Sequence, residues 1–156
     1  MPLIYLETLI DAPLSEVFDL SRSIDLHLDS TKKTGEKVVA GRSTGLVELG
    51  DEIVWEAKHL GVTQQLSVRI TSLERPHSFR DDMVKGAFKK MWHIHEFEAI
   101  SGITKMIDKF YFESPFFFFG SIFDKIFLKK YMKNFLERKN RVLVEHVKKG
   151  SYRKFL

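Results

Sequence analysis

The 156-residue chain contains no cysteine. That absence removes disulfides, thiolate metal sites, iron–sulfur clusters and a cysteine nucleophile together. It also has no run of about 18 apolar residues, which speaks against a membrane-spanning helix, and its first residues lack the basic-then-apolar order of a signal peptide. A soluble, cytoplasmic protein is the expectation. Gly41, Gly45 and Gly50 do not form a phosphate-cradling loop, and no Ser–His–Asp order points to a nucleophile. Neither a linker nor an internal repeat interrupts the chain, so residues 1–156 read as a single domain large enough for a real core.

The net charge of +4 is unevenly placed. Residues 124–156 hold eleven Lys or Arg against three acids, a net +8, which leaves −4 for residues 1–123. A basic end of this kind suits nucleic acid or an anionic membrane, but Lys on the outer face of an amphipathic helix is the commoner meaning. No nucleic-acid module accompanies the charge, so neither nucleic acid nor stable membrane insertion is expected.

What is present is a set of imidazoles in strand-like segments. On a strand, alternate side chains share a face. Trp55, Ala57 and His59 therefore project together, as do Met91, His93, His95 and Phe97, and as do Thr104, Met106, Asp108, Phe110 and Phe112. If those faces point inward, three imidazoles and one carboxylate sit among apolar groups. A dry core gains more from Val or Leu, because a buried polar ring must find a partner. The pattern points to a mixed, partly polar cavity.

The rest of the chain supplies the frame. Leu3 to Ile10 reads as a strand, Pro13 suits the first turn of a helix containing Val17, Phe18 and Ser21, and a second short helix is expected across Ser23 to Leu28. Residues 36–40, 52–60, 63–73, 78–84, 89–99 and 105–113 read as strands separated by turn residues, and such short connections make antiparallel neighbours. From Ser121 to Lys149 apolar residues recur at spacings near three, four or seven, with Gly150 placed to stop a helix. The reading is α+β: a curved antiparallel sheet of six to seven strands wrapped around a long C-terminal helix, with two short helices after the first strand.

That order, together with Ile10-Asp11-Ala12-Pro13, Gly50-Asp51 leading into Trp55-x-Ala57-x-His59, Phe79-x-Asp81-x-Met83, Gly86-x-Phe88 and His93-x-His95-x-Phe97, resembles the helix-grip fold of the START-like (SRPBCC) superfamily. The local stretches are similar to its bacterial polyketide cyclase/dehydrase-like branch. The resemblance implies a space between sheet and helix that holds a lipid, a hormone or an aromatic metabolite. In a minority of members it implies cyclisation or dehydration. A shared fold does not choose among these.

The leading expectation is a binding protein for a small apolar or aromatic molecule, with Trp55, Phe97, Met106 and Phe110 as walls and His59, His93, His95 and Asp108 orienting a polar group. An enzyme using His93, His95 and Asp108 as acid–base groups is the alternative. A module binding a protein or a membrane surface through Phe116 to Phe119 is a third, with the partner unidentified; those rings serve equally as a core plug or a ligand gate. His93 and His95, with His59 as a third, have the form of metal ligands. On the strand that carries His93 and His95, however, Glu96 and Glu98 alternate to the opposite face, so no cofactor or metal is expected.

Overall fold

The computed structural model describes residues 3–114 and 124–156. The chain opens with β1 (Leu3–Ile10), α1 (Leu14–Ser21) and α2 (Ile24–Ser30). Six strands follow: β2 (Lys37–Gly41), β3 (Glu52–His59), β4 (Val62–Glu74), β5 (Ser78–Lys85), β6 (Lys90–Ile100) and β7 (Ile103–Glu113). A π-helical turn at Asp124–Leu128 leads into α3 (Lys129–Lys149). Among the described residues the expected helix is π-helical over Asp124–Leu128 and α-helical from Lys129. Its expected start at Ser121, like the Phe116–Phe119 run, lies outside the described residues.

All seven strands join one curved antiparallel sheet in the order β1-β7-β6-β5-β4-β3-β2. The first strand thus pairs with the last, and the short helices between β1 and β2 cross the sheet's inner face. Local chemistry places the breaks. Pro13 caps α1 in an extended conformation. The Ser23 hydroxyl accepts the Leu26 N–H at the start of α2, an ordinary N-cap. Gly150 closes α3 at φ 70°, in the left-handed region that a side chain disfavours. Gly41 is required by space as well, since a Cβ there would lie 2.0 Å from the Glu52 carbonyl oxygen.

Inner and outer faces alternate as the pattern predicts. On β6, Met91, His93, His95 and Phe97 are buried; on β7 every second residue from Thr104 to Phe112 is buried. The apolar interior divides into two clusters, one containing Trp55, Phe110, Phe112 and Leu136, the other Phe18, Phe79, Phe97, Met106 and Leu143. Leu136 and Leu143 lie seven residues apart, two turns along the same face of α3, so the helix seals both clusters at once. Among the described residues no helix is long and apolar enough to cross a membrane.

Phe112 is fully buried, whereas Leu9 on β1 is 60 % exposed. Phe112→Ala is expected to lower the unfolding free energy by about 3–5 kcal/mol, and Leu9→Ala by about 0.5 kcal/mol at most. Urea unfolding of the two variants checks this. Equal losses would show that the inner face has been assigned to the wrong side of the sheet.

Candidate functional site

Strand register assembles the polar centre. His95 on β6 lies directly opposite Asp108 on β7, while His93 lies opposite Asp81 on β5. His93 Nε2–H donates to Asp108 Oδ1 at 2.8 Å, and His95 Nδ1 meets the same oxygen at 3.2 Å. The other carboxylate oxygen, Oδ2, accepts from Asn140 Nδ2 on α3 at 2.7 Å, and Asn140 also reaches Thr8 Oγ1 on β1. His95 Nε2 faces Asp81 Oδ1 at 3.3 Å. The two imidazoles lie against each other at 3.8 Å between ring centroids, and Phe79 stacks on His95 at 4.1 Å.

A second polar group stands near the β2–β3 side. His27 on α2 donates from Nε2 to Glu36 Oε1 at 2.9 Å and lies against the Trp55 ring at 4.2 Å. His59 Nδ1 and the Tyr131 hydroxyl share a 2.8 Å hydrogen bond, which ties the end of β3 to α3. Glu36 Oε2 is buried with no hydrogen-bond partner among the described residues. Between the two groups lies a cavity of about 280 Å³, walled by residues such as Ile53, Trp55, Met91 and Phe110 and reached by Glu36, Asp81, His93, His95 and Lys139.

Five residues of the sequence-derived set line this cavity: Trp55, His59, His93, His95 and Phe110. Met106 and Asp108 instead border a neighbouring hole of about 20 Å³, room for about one water. Phe97 lines neither. Asp108 lies behind His93 and His95, which both meet its Oδ1; for Phe97 and Met106 the reason is α1, which packs over that end of the sheet. Phe18 meets the rings of Phe79 and Phe97 edge-on at 5.6 and 5.3 Å, and the Ser21 hydroxyl contacts the Met106 sulfur. Alternation assigns these side chains to the inner face; it does not say which part of that face a helix fills.

Several site residues escaped the sequence reading. Asp81 carried a signal, because Phe79-x-Asp81-x-Met83 alternates onto one face. Asn140 and Lys139 lay within the helical pattern, where the many neighbouring lysines masked both. Glu36 and His27 gave no periodic signal. Their meeting depends on how α2 folds back against β2 and β3.

No protein-family model and no curated protein matches the sequence. Solved structures do match over nearly the whole chain. TTHA0849 from Thermus thermophilus superposes with a TM-score of 0.78 at 21% identity, covering 96% of this chain and 99% of that one. A START superfamily protein from Mycobacterium smegmatis gives 0.72 at 10% identity, with 94% and 97% covered. Ginseng major latex-like protein 151 from Panax ginseng gives 0.66 at 13% identity, with 93% and 96% covered. The chain has the START-like, helix-grip fold.

Within this START-like frame the polar centre is strongly polarised. Burial pushes the Asp108 carboxyl up, but hydrogen bonds from His93 and His95 outweigh it and hold the group well below the ordinary carboxylate value. Asp81 is held low against burial in the same way, by its bond to His95 and the nearby His93. Burial also disfavours an imidazolium. His93 moves below the ordinary imidazole value for that reason, with His95 adding to the effect. For His95, contacts with both carboxylates overcome burial and raise it. The surroundings thus push one ring toward neutrality and the other toward charge.

These directions set opposite pH limits. A depressed carboxyl contributes fully above its ordinary value of 3.8 and loses that contribution as pH falls through its folded value. His93 and His27, both lowered by burial, are also lost toward acid, beginning below 6.5. The raised His95 acts the other way: its contribution is complete below 6.5 and disappears as pH rises. Urea unfolding across pH should show stability declining toward acid. Asp108→Asn is expected to cost about 3 kcal/mol at neutral pH, the loss typical of breaking a buried charged pair, and to flatten the decline below pH about 4. An acid decline equally steep in the variant would show that Asp108 is not its source.

Proposed function

We propose that this START-like chain binds a small, largely apolar or aromatic molecule in the space between the sheet and α3. The observation that carries the reading is the 280 Å³ cavity with apolar walls and a few converging polar groups, the usual composition of a ligand pocket. Its volume of about 280 Å³ stands just below the range of roughly 300–1,000 Å³ for such pockets. That favours a compact ring system or a short chain over a two-chain lipid. The unpartnered Glu36 Oε2 supports a ligand that brings an N–H or O–H donor to the β2–β3 side, because an unmade hydrogen bond costs about 1–3 kcal/mol at a buried polar atom.

A specific observation favours catalysis as the second reading. His93 and His95 both line the cavity, and their surroundings drive their protonation apart, the arrangement that separates a base from an acid. In a cyclase- or dehydratase-like reaction His93 would take a proton and His95 would supply one. Asp108 would position both rings, since its two oxygens are already occupied by His93, His95 and Asn140.

Ala57 is buried at the cavity wall, so enlarging it takes up space while every polar side chain of the site is retained. Native mass spectrometry after gentle purification is expected to show a copurified small molecule, or uptake from a metabolite library. Ala57→Phe is expected to weaken that binding by at least tenfold while the circular dichroism spectrum is retained. Absence of any bound molecule in the parent protein, or unchanged affinity in a folded Ala57→Phe, would remove the binding reading. Turnover lost with binding kept in His95→Gln would favour the enzyme.

A further inference from the structure

Asp108 fixes which nitrogen each ring can offer. Both His93 Nε2 and His95 Nδ1 turn toward Asp108 Oδ1, which only accepts, so the lone pairs remaining to give are on His93 Nδ1 and His95 Nε2. His95 Nε2 confronts the Asp81 carboxylate at 3.3 Å. A proton on Nε2, which makes His95 an imidazolium, or a metal cation in that proton's place supplies the positive charge this contact requires. That separation is long for a charge-assisted N–H···O bond of about 2.7–2.9 Å. It suits two donors sharing one tetrahedral ion with bonds of about 2.0–2.1 Å. One ligand atom from each of Asp81, His93 and His95 falls within 4.8 Å of the other two, which puts all three within reach of one ion.

We propose that Asp81, His93 and His95 form a binding site for one divalent cation of the zinc, cobalt or ferrous class, with Asp108 held behind both rings. Two imidazoles and one carboxylate match such borderline ions better than calcium or magnesium, which prefer all-oxygen shells. The carboxylate–imidazole–metal order supplied by Asp108 is the usual outer support of a ligating histidine. Charge agrees as well: once the ion has displaced the His95 Nε2 proton and both rings are neutral, Asp81 and Asp108 carry two negative charges, which one divalent cation balances. All three ligands line the cavity, so a further coordination position opens onto it. The carboxylate absent from the strand of His93 and His95 is provided by its neighbour, through the pairing of Asp81 with His93. The site does not depend on the organic ligand proposed above.

The test titrates the full chain, stripped with chelator and free of copurified small molecules, with Zn²⁺ by calorimetry and with Co²⁺ by visible absorption. The expected result is one equivalent bound at micromolar affinity or tighter, with a Co²⁺ d–d band of low-symmetry, four- or five-coordinate form. His93→Ala and the isosteric Asp81→Asn should each weaken binding at least tenfold; Asp81→Asn serves where the alanine variant fails to fold. Asp108→Asn, which leaves all three ligands in place but loosens the rings and removes one balancing charge, should weaken it by about 10–100-fold and shift the Co²⁺ spectrum while leaving the stoichiometry at one. No binding at tenfold molar excess of either ion, or unaltered affinity and spectrum in folded Asp81→Asn, would overturn the proposal. Metal binding that persists when Ala57→Phe has abolished uptake of the organic molecule would support the metal site and the organic cavity as separate features.

Discussion

The Asp108 carboxylate is the constraint on which the interior is organised. It lies 2 % exposed in the middle of an apolar sheet face, where an unpaired charge would cost several kcal/mol. Two imidazoles from β6 and one amide from α3 meet that demand. The imidazole contacts tie β6 to β7, and the Asn140 amide ties α3 to the sheet. Asn140 occupies the helix face midway between Leu136 and Leu143, so the polar bond sits at the join between the two apolar clusters. A methyl-bearing side chain at 140 would preserve the helix and leave one carboxylate oxygen without its donor.

The cavity follows from how unequally the helices cover the sheet. α1 presses Phe18 against Phe79 and Phe97, filling the end of the inner face near Met106. Toward β2 and β3 the cover is made by α2 and α3, with apolar side chains such as Ile24, Leu28, Met132 and Phe135 and the polar contacts of His27 with Glu36 and His59 with Tyr131. Aromatic rings pack to high density where they interlock, and the cavity lies on the other side, among Ile53, Trp55, Met132 and Phe135. The histidine pair stands at the boundary: Phe79 stacks on His95 from the filled side while His93 meets the edge of Phe110 at 5.3 Å on the other. This is why both imidazoles reach the cavity although their carboxylate partner is sealed behind them.

Much of this was legible in the residue order. The strand alternation correctly placed His93, His95, Asp108 and Phe110 inward, and the short turn at Ser101 and Gly102 made β6 and β7 neighbours, which brought His95 opposite Asp108. Phe97 and Met106 had the same alternation and still fell outside the cavity, because periodicity is blind to the helix that covers them. Asp81 had the inward pattern on β5, but its place opposite His93 depends on the register between β5 and β6. Lys139 resembled its many neighbouring surface lysines until the rotation of α3 placed it at the cavity.

Side-chain alternation and helical periodicity are local properties of backbone geometry, so the residue order alone determined the elements, their inner faces and the presence of imidazoles and a carboxylate within. Which of those groups touch was decided by tertiary structure. Strand register across three strands, the docking of α1 over one end and the angle of α3 are set by the summed burial of residues far apart in the chain. Only that packing gathers Asp81, His93, His95, Asp108 and Asn140 into one centre and leaves Glu36 facing the space beside it.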